Sequence, residues 1–143
     1  IKDSSTVPPW VLTTPREAGA ICAVGMSEPT FYSDDAKGYA AESARKELAR
    51  TLNMRISNIM VDISTEKGSD VDEATVTRVS SWTADAVLHE STIKEFWLDS
   101  GGTASNGIKN ITYALACMPL SSIKDGVHGE GEIGRRIIDE LKR

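Results

Sequence analysis

The longest amphipathic signal in the chain begins at Ser33. Ala36, Ala40, Ala44 and Leu48 recur every four residues, and Tyr39, Ala41 and Leu52 widen the stripe. Lys37, Glu42, Arg45, Lys46 and Glu47 lie mostly on the other side. This spacing predicts a helix from Ser33 to about Leu52, with Ser33-Asp34-Asp35 supplying a cap and acids for the positive end of the dipole. Its apolar face is mostly alanine, so it can lie very close to whatever it covers. Gly38 costs up to about 1 kcal/mol against alanine in a helix, and a close backbone contact there is the simplest compensation. A second helix is predicted from Ser69-Asp70 to about Leu88, with Val71, Val79, Trp82 and Ala86 near one face. Its many Thr, Ser and Val residues lower its propensity, so tertiary packing must hold it. A third stripe, Ile133, Ile137, Ile138 and Leu141, predicts a C-terminal amphipathic helix. A helix this short is marginal alone and must dock, on its own domain or on a neighbour.

Elsewhere the period changes to two. Ala18 to Met26 is small and apolar on both faces, the pattern of a strand covered on both sides, with Gly25 marking a bulge or a close backbone approach. From Met54 to Ser64, Ile59, Val61 and Ile63 alternate with Asn58, Met60, Asp62 and Ser64, which reads as a half-buried strand. Thr92 to Asp99 and Lys109 to Met118 also alternate and predict an antiparallel hairpin, joined by a long, flexible, turn-rich tip from Ser100 to Gly107. The order of elements gives an α+β fold: a small antiparallel or mixed sheet of about four strands, with a long helix across one face. Residues 1–17 read as an extended arm, 18–119 as the α+β domain, 120–131 as a Gly-rich linker and 132–143 as the last helix.

Composition narrows the function. The chain has 143 residues, one ordinary domain, with 16 Lys and Arg against 21 Asp and Glu, a net charge of −5. That balance argues against a general nucleic-acid binder, which needs a basic stripe. No apolar run is long enough to span a membrane. The chain opens Ile1-Lys2-Asp3-Ser4-Ser5-Thr6, without Met or an apolar signal segment, as expected of a processed or trimmed chain.

Candidate chemistry is sparse. Gly129-Glu130-Gly131-Glu132-Ile133-Gly134 matches G-x-G-x-x-G, but the chain ends nine residues later and two glutamates would repel a pyrophosphate, so the linker reading is preferred. Cys22 and Cys117 sit mid-strand in apolar surroundings. They read first as two buried thiols, with a disulfide as the alternative. His89, Glu90 and Asp99 fit no metal-ligand spacing, and Asp62 and Asp99 are expected to face solvent. Trp10, Trp82 and Trp97 read as core or interface anchors. No catalytic residue, cofactor site or metal site is predicted.

Several stretches together resemble the LPP-twenty family of bacterial surface lipoproteins. They are Pro9-Trp10, Ala20-Ile21-Cys22-Ala23-Val24-Gly25, Ala40-Ala41-Glu42-Ser43-Ala44-Arg45-Lys46-Glu47-Leu48-Ala49, Trp97-Leu98-Asp99 and Tyr113-Ala114-Leu115-Ala116. The resemblance covers about residues 9–118 and leaves out the last helix. It implies an exported protein of the outer membrane, periplasm or cell surface, with a dodecin-like helix across a small sheet and no enzyme activity. Membrane anchoring is expected only if a lipidated cysteine was removed from this chain. The expected function is therefore a structural protein that self-associates into a homo-oligomer, in its open form a filament or tube. Trp10, Ile133, Ile137, Ile138 and Leu141 are the residues offered for the contact. The alternative is a small-ligand-binding, dodecin-like oligomer.

Overall fold

The computed structural model describes residues 6–68 and 70–142. The first five residues of the predicted arm, and Ser69 of the predicted cap, lie outside them. Their order is a one-turn helix α1 (Pro9–Leu12), β1 (Ala20–Ser27), α2 (Ser33–Lys67), α3 (Glu73–Glu90), β2 (Thr92–Asp99), β3 (Ile111–Pro119), α4 (Leu120–Val127), a 3₁₀ turn (His128–Glu130) and α5 (Glu132–Leu141). The sheet has three strands in the order β1-β3-β2, all antiparallel. The architecture is α+β with a long helix on the sheet, and it corrects the expected four strands to three.

The missing strand is the second half of α2. Residues 54–64 do alternate in sequence, but Ile56, Ile59, Met60 and Ile63 also recur at helical spacing, and these four are buried while Val61 is exposed. The helix therefore runs for 35 residues, about 52 Å at 1.5 Å per residue, roughly twice the length of an eight-residue strand. Its first half crosses the sheet, and its second half overhangs the sheet and packs among α3 and α5. Ser33 is the first helical residue rather than the cap, and Tyr32 in the cap position makes no side-chain bond to the helix. The cap of α3 is Asp72, whose carboxylate accepts the Ala74 N–H at 2.8 Å.

Ala40 and Ala44 are wholly buried against β1 and β3. The glycine that permits this approach is Gly25 on the strand. A Cβ there would lie 2.1 Å from the Ala44 nitrogen, whereas one on Gly38 would meet nothing within 4 Å. The compensating contact expected at Gly38 is thus absent.

The predicted linker is also corrected. Leu120, Ile123 and Val127 bury one face of α4 in the core, and the chain continues through the 3₁₀ turn into α5. Gly126 and Gly134 are packing glycines: a Cβ on Gly126 would overlap the Trp82 ring, and one on Gly134 would lie 2.2 Å from the Val127 carbonyl oxygen. Of the three glycines in the G-x-G-x-x-G lettering only Gly134 is a packing glycine; Gly131 turns the chain at a φ of 62°, a Cβ on Gly129 would meet nothing within 4 Å, and Glu130 between them is bonded to Arg78 at 3.0 Å.

Candidate functional site

The pleat sorts the sheet into two faces. Ile21, Ala23 and Gly25 of β1, Ala114, Ala116 and Met118 of β3, and Ile93, Phe96 and Leu98 of β2 share the face on which α2 lies. Cross-strand rows Cys22–Cys117–Thr92, Val24–Leu115–Glu95 and Met26–Tyr113–Trp97 form the other face.

The second face is closed at both ends. Cys22 and Cys117, directly paired in register, are joined as a disulfide. The reading of them as two free thiols is corrected accordingly. Trp10 of α1 packs half-buried over Cys22, Leu115 and Cys117. At the opposite end the β2–β3 connection folds back on Asp99. This residue was expected to face solvent but is 1 % exposed. Its carboxylate accepts the Thr103 and Ala104 N–H groups, each at 2.9 Å, and the Ser105 hydroxyl at 2.8 Å. Its carbonyl accepts the Gly102 and Asn110 N–H groups. A buried carboxylate held by several donors is well compensated. Ser105 also meets the Tyr113 hydroxyl at 2.6 Å, and the Tyr113 ring lies 5.7 Å from that of Trp97. The tip that looked long and flexible is tied down by one side chain.

The first face is covered unevenly. Helix α2 lies over β1 and β3. Along the β1 edge, Ser43 of the helix accepts the Met26 N–H at 3.2 Å, so that edge is partly sealed. On β2 the outward apolar residues are left open: Phe96 is 42 % exposed and Leu98 51 %. The Lys37 ammonium lies 5.9 Å from the centre of the Phe96 ring. A bulge between Ile93 and Glu95 interrupts the register of this edge strand. Bulges and edge lysines discourage a further strand from adding, so side-chain contact through Phe96 and Leu98 is the chemistry this edge offers.

The side chains offered for self-association from sequence are distributed differently. Ile137, Ile138 and Leu141 are buried in the main core of their own chain, and Ile133 is half-buried against it. Trp10 belongs to the separate cluster on the opposite sheet face. The structure does not bring Trp10 and the α5 stripe together, and α5 is a docked helix rather than one waiting for a neighbour. Arg136 and Glu66 fix it to the end of α2 by a two-pronged ion pair at 2.7 and 2.6 Å. The bond from Arg136 holds the Glu66 carboxyl below its ordinary value, and the bond from Arg78 does the same for Glu130.

Among the described residues, Glu17, Cys22 and Cys117 form the one group of three side chains with metal-ligating atoms close together. Its two sulfurs are consumed by the disulfide and Glu17 is paired with Lys94 at 2.9 Å, so the set does not fit a thiolate metal centre. His89 pairs with Asp85 on the exposed side of α3. No described helix is long and apolar enough to cross a membrane. In comparisons with known proteins, no family model and no curated sequence matches the chain.

Proposed function

We propose that this protein is a non-enzymatic structural component of a bacterial envelope or surface, of the LPP-twenty kind, that self-associates into a homo-oligomer. The observation that carries the reading is the uncovered apolar pair Phe96 and Leu98 on edge strand β2, beside a helix that covers the other two strands. Burying such side chains is worth roughly 1.5–3 kcal/mol each, and a second copy supplies the cover. The Cys22–Cys117 disulfide supports export, because such bonds persist in the periplasm and outside the cell and are rare in the cytosol. The helix lying across a small antiparallel sheet is the dodecin-like element of this proposal. A repeat contact that does not close on itself gives a filament or tube. A second reading, a small-ligand-binding oligomer, is favoured by a cleft of about 670 Å³ between the end of α2 and the start of α3, floored by Met60, Val61, Val71 and Val76.

The test is the mass of the oxidised protein in solution, by light scattering, for the native chain and for the double variant Phe96→Lys, Leu98→Lys. An oligomer that the variant reduces in size, with the circular dichroism unchanged, is the expected result. A native chain that is monomeric at all concentrations, or a variant that keeps the full assembly, overturns the assignment of this edge.

A further inference from the structure

A second cleft, of about 630 Å³, opens where the segment before β1 passes the middle of α2 and the end of α5. Its charged lining differs from the rest of this acidic molecule. Arg16, Arg55 and Lys142 all face it, and one acid, Glu17, joins them. Glu17 is already engaged by Lys94. Among the described residues, no carboxylate lies within ion-pair distance of Arg16, Arg55 or Lys142. Elsewhere Lys46, Arg50, Lys67, Arg78 and Arg136 each have an acidic partner, whereas Lys37, Arg45, Lys109, Lys124 and Arg135 have no ion pair among the described residues; what sets the cleft apart is that three such cations line one concavity. Arg55 is half-buried and fixed by donating to the Leu141 carbonyl at 3.3 Å, a bond that uses one arm of the guanidinium and leaves its other donors without a partner among the described residues. The hydroxyls of Thr13 and Thr51 line the same cleft and have no internal partner among the described residues.

Three cations held in one concavity repel one another, and unlike the surface ion pairs they do not offset that repulsion locally. An anion does so, and the donor set suits a particular kind. A guanidinium fork with two hydroxyls and an ammonium matches the several oxygens of a phosphate or of clustered carboxylates. We propose that this cleft is a binding site for a small polyanion bearing phosphate or carboxylate groups, with Arg55 as the anchoring residue and Arg16 and Lys142 as the flanking cations. The site lies apart from the open edge of β2, so its occupancy and the self-association of the chain are separate questions.

Isothermal titration of the full, oxidised chain with inorganic pyrophosphate, and separately with citrate, tests this. Saturable one-to-one binding that weakens with added salt is expected, and binding of one probe but not the other identifies which oxyanion the site prefers. Arg55→Gln should weaken it by about tenfold or more, the loss of a charged hydrogen-bonding partner. Because Arg55 also holds α5, the exposed double variant Arg16→Gln, Lys142→Gln serves as the fold-neutral check and should weaken binding as well. Lys124→Gln, outside the cleft, should leave it unchanged. Absence of saturable binding by both probes at low salt overturns the proposal. So does binding that survives the Arg16→Gln, Lys142→Gln change, or that Lys124→Gln weakens equally.

Discussion

The two halves of α2 are one continuous helix with two different jobs of packing. From Ala36 to Leu52 the buried face is Ala36, Ala40, Ala44, Leu48 and Leu52, and it rests on a sheet that meets Ala44 with Gly25. From Ile56 to Ile63 the buried face is Ile56, Ile59, Met60 and Ile63, and it meets other helices. Small residues from Ala36 to Ala44 draw the start of the helix to backbone distance from the strand, before Leu48 and Leu52 follow on the same face. Large residues in the second half fill the wider gap that separates helix axes. Ion pairs reinforce the contrast: Arg136–Glu66, Lys67–Glu132 and Arg78–Glu130 tie together elements of the helical end. Side-chain size along one helix thus decides where the sheet ends and the helical layer begins.

If that division is right, the helical half suffers from lost volume. Ile56→Ala should cost about 2–5 kcal/mol in urea unfolding, the range for emptying a buried isoleucine site. A loss below about 1 kcal/mol would mean that this end can collapse around the gap and is less tightly packed than its burial implies.

The sheet half suffers from added volume. Ala44→Leu should overpack the contact with Gly25 and cost about 1–3 kcal/mol. Stability within a few tenths of the native value would place the close approach elsewhere on the helix.

The smallest expected effect is on pH dependence and belongs to the helical end. Glu66 and Glu130 have carboxyls lowered in the folded state from an ordinary value of 4.5. Below that value the unfolded chain takes up their protons first. Their contribution is therefore fully present above about pH 4.5 and is lost as the pH falls through the lower folded values. The double variant Glu66→Gln, Glu130→Gln should flatten this acid limb in a series of denaturation midpoints, and salt should flatten it in the native chain. An acid limb identical in native and variant chains would remove these pairs from the account.

The same contrast explains what the sequence made legible. The alanine stripe, the two alternating strands β2 and β3 and the α5 stripe are each periodic in one way only and form where the period places them, and β1 was legible as a short apolar run covered on both faces. Residues 54–64 carry both periods at once, because Ile59, Val61 and Ile63 alternate while Ile56, Ile59, Met60 and Ile63 also lie on one helical face. Continuity with the preceding helix decides between them. In residues 120–131 the glycines masked Leu120, Ile123 and Val127, whose spacing is helical. Gly126 is there for the ring of Trp82, a partner distant in sequence, and Gly134 for the carbonyl of Val127 in the preceding helix. Asp99 looked like a solvent-facing position because its donors come from a turn that forms only when the loop folds back. For the candidate surfaces, exposure was the hidden quantity. Phe96 and Leu98 read as ordinary members of a strand, and only the lateral position of α2 leaves them bare.

The disulfide gives the chain a closed covalent circuit. Cys22 and Cys117 are 95 positions apart, and the ring between them contains α2, α3, β2 and most of β3. The segments that lead out of it, from α1 on one side and through α4 and α5 on the other, leave from adjacent points of the central strand pair. A pull applied between the two ends is carried from β1 to β3 by the bond between two sulfurs. The covalent path between those points bypasses α2, α3 and β2, which lie inside the ring. In the self-association proposed above, this bond would give a subunit a covalent route for tension between its two ends that leaves β2 outside the direct line of pull.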